Sequence, residues 1–136
     1  MSRTETGLVE LSHDECARLL TAHRPRLGRL AFMSGGRVLI FPMNFVAVGN
    51  LIYFRTEPGS KLMAAFRTQQ VTFEIDHVDE AWQEGWSVLA FGRIRQVTDE
   101  DELKDVAQRP LRPWAGGERP HLLRMDVEWM SGRRIV

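Results

Sequence analysis

The sequence predicts a mainly β chain with short α-helices, folded as a closed or half-closed antiparallel barrel of six to seven strands. Three observations predict it. Two hairpin patterns follow each other directly before residue 57. A period-two stretch and a long strand candidate follow. The fingerprints of a parallel nucleotide-binding sheet are missing: no Gly-x-Gly-x-x-Gly after a strand, no phosphate loop ending in Gly-Lys-Ser, no Gly-x-Ser-x-Gly elbow. With 136 residues, 43% hydrophobic and 26% charged, the chain is sized for one soluble globular domain, 1–136.

Residues 1–8 read as a flexible polar tail. Ser12-His13-Asp14-Glu15 matches a capping box, in which serine and glutamate satisfy each other's backbone donors, and a helix is expected over about 13–22, ended by Pro25. Leu27 to Met33 reads as a strand turning at Ser34-Gly35-Gly36 into the apolar run Val38 to Phe41. Phe45 to Val48, the turn Gly49-Asn50 and Leu51 to Phe54 form a second hairpin. Gly59-Ser60 opens a short helical stretch, Lys61 to Arg67, with Leu62, Ala65 and Phe66 on one face.

Val71, Phe73 and Ile75 alternate with Thr72, Glu74 and Asp76, as a half-buried strand requires. Trp86 to Val97 is the longest strand candidate. Gly92 inside it marks a bend or a close approach. An acidic capped helix from Asp99 to Gln108, a Pro/Gly/Arg-rich loop from Arg109 to Pro120, and a last strand from Leu122 to Trp129 complete the order.

Composition excludes several function classes. Eighteen Lys plus Arg balance eighteen Asp plus Glu, so no global field draws the chain to nucleic acid or to an anionic membrane. One cysteine, Cys16, permits neither an intrachain disulfide nor a Cys-rich zinc site, and the four histidines show no metal-ligand spacing. No apolar run reaches the ~18 residues of a membrane span, and nothing resembles a signal peptide. These features point to a cytoplasmic protein.

The stretch from Arg55 to Lys61 has the parts of an anion site. It runs from a strand end through a tight turn into a helix start, where free backbone N–H groups favour a phosphate, Gly59 allows close approach, Ser60 adds a hydroxyl and Lys61 a charge. Arg55 adds a forked cation. A plain strand-turn-helix junction has the same spacing, so the pattern alone leaves both readings open. Elsewhere Trp86 and Trp129 read as barrel packing, Cys16 as a half-buried thiol, and Asp76-His77 as a surface pair. Glu100, Asp101 and Glu102 are explained by the helix dipole.

Gly28-Arg29-Leu30-Ala31, Pro42-Met43-Asn44-Phe45, Phe54-Arg55-Thr56 with Gly59-Ser60-Lys61, Phe73-Glu74-Ile75-Asp76, Gly85-Trp86-Ser87-Val88 through Gly92, and Ser131-Gly132-Arg133-Arg134 occur in one order over residues 9–135. In these the chain resembles the pyridoxamine 5'-phosphate oxidase-like family of FMN-binding split-barrel flavoproteins. The resemblance implies a homodimer that holds FMN in a groove between subunits and passes a hydride between the flavin and a small organic substrate. It implies that Gly59, Ser60 and Lys61 hold the flavin phosphate and that Arg55 and Thr56 lie along the ribityl chain and ring edge. Pro42, Met43, Asn44 and Phe45 would face the ring, with Ser87 against the cofactor.

By the same resemblance Trp114 and Arg124 belong to a C-terminal segment supplied by the partner subunit; Arg133, with Arg134, reads equally as a cofactor phosphate contact or as a solvated tail. Pro120-His121-Leu122 stands where the oxidases carry an Arg-x-His substrate pair, which leaves His121 as the substrate candidate and puts pyridoxamine 5'-phosphate itself in question. Two variants follow from relatives of this fold. A deazaflavin would replace FMN, with Arg24, Arg26 and Arg29 for its acidic tail, or the barrel would store or sense flavin or haem without catalysis, with His121 as the first axial ligand.

Overall fold

A computed structural model describes residues 8–56, 70–111 and 121–135. Among these residues the order is β1 (Leu8–Glu10), α1 (His13–Ala22), β2 (Leu27–Ser34), β3 (Arg37–Asn44), β4 (Val46–Val48), β5 (Leu51–Thr56), β6 (Gln70–Asp79), β7 (Glu84–Gln96), α2 (Glu100–Ala107) and β8 (His121–Ile135). All pairings are antiparallel, in the path β3-β2-β6-β7-β8-β5-β4, with β1 added to β8. The ends of the path, β3 and β4, are separated in the chain only by Phe45, so the sheet curls back on itself into a split barrel.

The local reasons are visible in the chain. Ser12 and Glu15 close the capping box at 3.2 Å in both directions, and α1 lays Cys16 and Leu20 into the core. Gly35 and Gly36 take φ of 59° and 76°, which lets β2 turn straight into β3. Alternation along β2, β6 and β7 sends Leu30, Phe32, Phe73, Ile75, Val88, Ala90 and Ile94 inward. Phe45, Phe54 and Phe73 meet edge to face at the centre, with centroids 4.9 and 5.0 Å apart. A second, smaller cluster of Val46, Tyr53, Val97, Val106, Leu111 and Leu122 lies beneath α2. Gly92 sits at a bulge between Phe91 and Gly92, and a Cβ there would collide with the Asp126 carbonyl.

The split-barrel class holds, but the structure corrects several expectations. The described residues form eight strands, not six to seven, since β1 lies where the tail was expected, and the last strand does not stop at Trp129 but runs on along β7 to Ile135. Leu8, expected in the tail 1–8, instead opens β1 and pairs with Ile135, while residues 1–7 lie outside the described residues. The strand expected to end at Phe41 continues to Asn44; Pro42 is tolerated in it because β3 pairs only with β2. Cys16 is fully buried, packed where a Cβ on Gly132 would stand 2.7 Å from its sulfur. Trp129 is 59% exposed, stacked on Phe91 on the outer surface, because the bulge shifts β8 against β7 there. Trp86 does pack against the core. The expected helix Lys61 to Arg67 lies outside the described residues.

Candidate functional site

The residues singled out in the sequence fall into three places. The first is one mouth of the barrel. Thr56 stands opposite His121 on the last rung between β5 and β8, with Arg55 opposite Leu122. Thr56 shares the inward face of Phe54, while Arg55 shares the face of Tyr53 that looks toward α2. Gln96 ends β7 at the same mouth, its Nε2 2.6 Å from His121 Nδ1. This contact fixes the imidazole against the sheet. Gly59, Ser60, Lys61 and Trp114 lie outside the described residues, yet the segments that carry them leave from Thr56 and return at His121. One rung therefore holds one end of each segment.

The second place is the outer face of the sheet. Asp76, Ser87 and Arg133 stand opposite one another across β6, β7 and β8, and Pro42, Arg29, Glu74, Leu89 and Ser131 form the adjoining row. Ser87 points away from the core side that Trp86, Val88 and Ala90 occupy. With Arg133, Asp76, His77 and Trp86 it lines a hollow of about 310 Å³, at the lower end of the size of small-molecule sites. A small hydroxyl beside an arginine fits the edge of an anionic, planar cofactor. Asn44 is half-buried at the end of β3.

The third place is the core itself. Met43 and Phe45 are 2% and 1% exposed, so their side chains are barrel packing and they can face a ligand through backbone alone.

The charges explain what these surfaces can do. Arg29 Nη1 lies 3.3 Å from Glu74 and 3.1 Å from Asp76, one cation against two carboxylates. Burial, aided by a hydrogen bond and repulsion from Asp76, pushes the Glu74 carboxyl up to about 7 despite Arg29. Arg24 Nη1 donates to the carbonyls of Thr21 and His23. Two of the three arginines considered for an acidic cofactor tail thus already have partners within the chain. His23 packs edge-on to Trp86 at 5.4 Å and over Phe45 at 6.5 Å, and burial holds its imidazole below the ordinary range.

Arg124 is bound into the protein. Its Nη1 donates to both Glu102 oxygens at 2.9 and 2.7 Å, its Nε lies 3.0 Å from Asp126, and the Tyr53 hydroxyl donates to Glu102 at 2.7 Å. Burial and then Glu102 raise the Tyr53 pKa. The helix dipole accounts for Glu100 and Asp101, but Glu102 also ties α2 to the sheet. Nothing in the local sequence announces this clamp, since Tyr53, Glu102 and Arg124 are brought together only by the pairing of Tyr53 with Arg124. Among the described residues, no three His, Cys, Asp or Glu side chains gather as a metal site, and no helix is long and apolar enough to cross a membrane.

Residues 12–134 match the family described as pyridoxamine 5'-phosphate oxidase. The chain belongs to the pyridoxamine 5'-phosphate oxidase-like family. Among its relatives, the uncharacterized protein Rv0080 of Mycobacterium tuberculosis is 31% identical over 134 residues, covering 95% of this chain and 86% of that one. The solved FAD binding protein of Mycobacterium smegmatis is 36% identical with a TM-score of 0.82, covering 93% of this chain and 98% of that one. A FAD-binding protein of Mesorhizobium loti, 23% identical with a TM-score of 0.76 over 95% and 99% of the two chains, shares the fold. This is a flavoprotein fold of the split-barrel type, as its order of motifs implied.

Proposed function

We propose that this member of the family binds FMN and serves as a flavin-dependent oxidoreductase, passing a hydride between the flavin and a small organic substrate. The observation that supports the reading is the Thr56–His121 rung, which holds one end of the segment read as a phosphate cradle beside one end of the Trp114 segment in a chain of this family. A bound flavin supplies the hydride chemistry, and the protein's task is to hold and orient it. Lys61, Ser60 and the backbone at Gly59 take the phosphate. Arg55 and Thr56 flank the chain that leads to the ring, Ser87 leaves room beside it, and His121, steadied by Gln96, is positioned to orient a substrate.

The site is completed by a second copy. From His121 to Arg133 is twelve residues of β8, about 40 Å along the strand, so Arg133 with Ser87 and the Thr56–His121 mouth of one chain are far apart for a single flavin. A homodimer resolves this by facing the Ser87–Arg133 end of one subunit toward the mouth of its partner. The compartment read from the sequence, a cytoplasmic one, suits a protein of this kind.

The test is phosphate recognition. Lys61→Ala is expected to raise the FMN dissociation constant roughly tenfold or more, because a charge-assisted contact contributes about 1.5 to 3 kcal/mol, and to change riboflavin binding much less. Equal FMN affinity in both proteins by fluorescence titration overturns the cradle. FAD is the second reading, favoured by the 36% identity to a protein named for binding it; chromatography of the flavin released from purified protein decides between the two. Reduction of the bound flavin by NADPH in the steady state separates a reductase from a carrier.

A further inference from the structure

We infer that Arg29, Glu74 and Asp76 form a proton site, and that the proton held there tightens the grip of the adjoining Ser87–Arg133 hollow on an anionic flavin. This deepens the flavin reading above and rests on it.

Register brings the three side chains together. Arg29 on β2 stands opposite Glu74 on β6, and Asp76 lies two residues further along the same face of β6. A single guanidinium nitrogen, Arg29 Nη1, reaches Glu74 at 3.3 Å and Asp76 at 3.1 Å. The two acidic side chains are 27% and 38% exposed, so water screens them only in part. Two negative charges against one positive leave a deficit of one, and a proton fills it. Burial, and then the hydrogen bond that protonated Glu74 makes to Asp76, push the Glu74 carboxyl up to about 7.

The elements around the pair add little charge of their own. β3 presents Pro42 opposite Arg29, and β7 presents Leu89 opposite Glu74 and Ser87 opposite Asp76. Across β7 the next cation is Arg133, which stands opposite Ser87 on one side and Glu10 of β1 on the other. His77 follows Asp76 in the chain and takes the opposite face of β6. His23, at the end of α1, feels both Asp76 and His77, but burial holds its imidazole below the ordinary range and so neutral where Glu74 changes charge. Arg29 is the cation that acts on Glu74.

Asp76 carries the state of the cluster into the hollow. It lines both a hollow of about 320 Å³, with Arg29, Glu74, Ile40 and Leu89, and the hollow of about 310 Å³ that holds Ser87, Trp86 and Arg133, so it is the wall between them. With Glu74 protonated, Asp76 is satisfied by Arg29 and by the Glu74 carboxyl, and Arg133 is left to face a ligand. With Glu74 ionised, Asp76 loses that donor and shares Arg29 with a second carboxylate. Its unbalanced charge, two strands or about 10 Å from Arg133, then competes for that cation and repels an anion in the hollow. By linkage, an anion that binds more tightly to the protonated cluster also makes the cluster hold its proton more tightly. Flavin affinity therefore falls as pH rises through about 7.

The full chain is titrated with FMN, followed by flavin fluorescence, from about pH 6 to about pH 8.5. The wild-type dissociation constant is expected to rise about threefold to tenfold over that range, with its inflection near pH 7. Glu74→Gln keeps the shape and the neutral state, so its affinity should stay at the low-pH value throughout; ionisation of the FMN phosphate is common to both proteins and cancels in the comparison. Asp76→Asn leaves Glu74 with Arg29 alone and should move the inflection down, whereas Arg29→Gln removes the cation and should move it up. Calorimetry near neutral pH, in two buffers of unlike ionisation heat, should register more proton uptake on FMN binding by wild type than by Glu74→Gln. Wild type that binds no FMN overturns the flavin reading itself. FMN binding with parallel pH profiles and equal proton uptake in wild type and Glu74→Gln overturns the proton site alone. If Glu74→Gln fails to fold by circular dichroism, the opposed shifts of Asp76→Asn and Arg29→Gln decide, and shifts in the same direction overturn the proton site.

Discussion

Glu102→Ala separates two roles for Arg124 that the sequence could not. In the folded protein the Arg124 and Glu102 side chains are 13% and 19% exposed and share two contacts at 2.9 and 2.7 Å. Breaking a buried pair costs about 3–5 kcal/mol, and an exposed one about 0–1. This pair sits nearer the buried limit, but Asp126 at 3.0 Å keeps the guanidinium partly compensated, so a loss of about 2–3 kcal/mol is expected. For a chain of this length that corresponds to a fall in Tm of about 6–12 °C. The measurement is thermal unfolding followed by circular dichroism. A shift below about 2 °C refutes the clamp.

The same reasoning sets the companion variants. Tyr53→Phe removes one hydroxyl donor and should cost about 1 kcal/mol alone, yet little more when added to Glu102→Ala, because the acceptor is already gone. Arg124→Met should lower Tm while the folded protein keeps its FMN affinity. Lost affinity at unchanged Tm would instead make Arg124 a cofactor contact.

Three further outcomes are expected. Ser87→Leu should fold normally by circular dichroism but purify without yellow colour, whereas Ser87→Ala keeps most binding, since a neutral hydrogen bond is worth only about 1 kcal/mol; normal FMN binding by Ser87→Leu places the flavin elsewhere. Glu74, raised from 4.5 to about 7, binds its proton more tightly folded than unfolded, so its contribution is full below pH 4.5 and is lost as pH rises toward 7. After solvent screening this amounts to about 1 kcal/mol, and Glu74→Gln should flatten urea midpoints across that window; an unchanged slope removes Glu74 as its source. Gly92→Ala should cost about 2 kcal/mol or more in urea, since a Cβ there meets backbone that cannot yield, and a stable Gly92→Ala protein shows that the bulge relaxes.

What the sequence disclosed and what it hid follow one physical division. Signals that act over a few residues were legible: the Ser12–Glu15 box, the Gly35–Gly36 turn and the alternation around Phe73 have causes within reach of their own neighbours, and the glycine at position 92 marked the close approach found there. The barrel followed from them, because hairpins in series leave little choice of topology. Relations set by register were not legible. A residue pattern cannot tell that a bulge at Gly92 turns Trp129 outward, or that Tyr53 and Arg124 share a rung and so draw Glu102 onto the sheet. It cannot tell that Met43 and Phe45 lie inward, since a family likeness marks a strand as close to the ligand without saying which face is which. The Glu74–Asp76–Arg29 cluster shows the same limit from the other side. Two of its members alternate in sequence as any exposed strand face does, and only the pairing of β2 with β6 sets one arginine against both and shifts a proton into the neutral range. Local chemistry thus selects the fold, and register, once selected, decides which side chains the site can use.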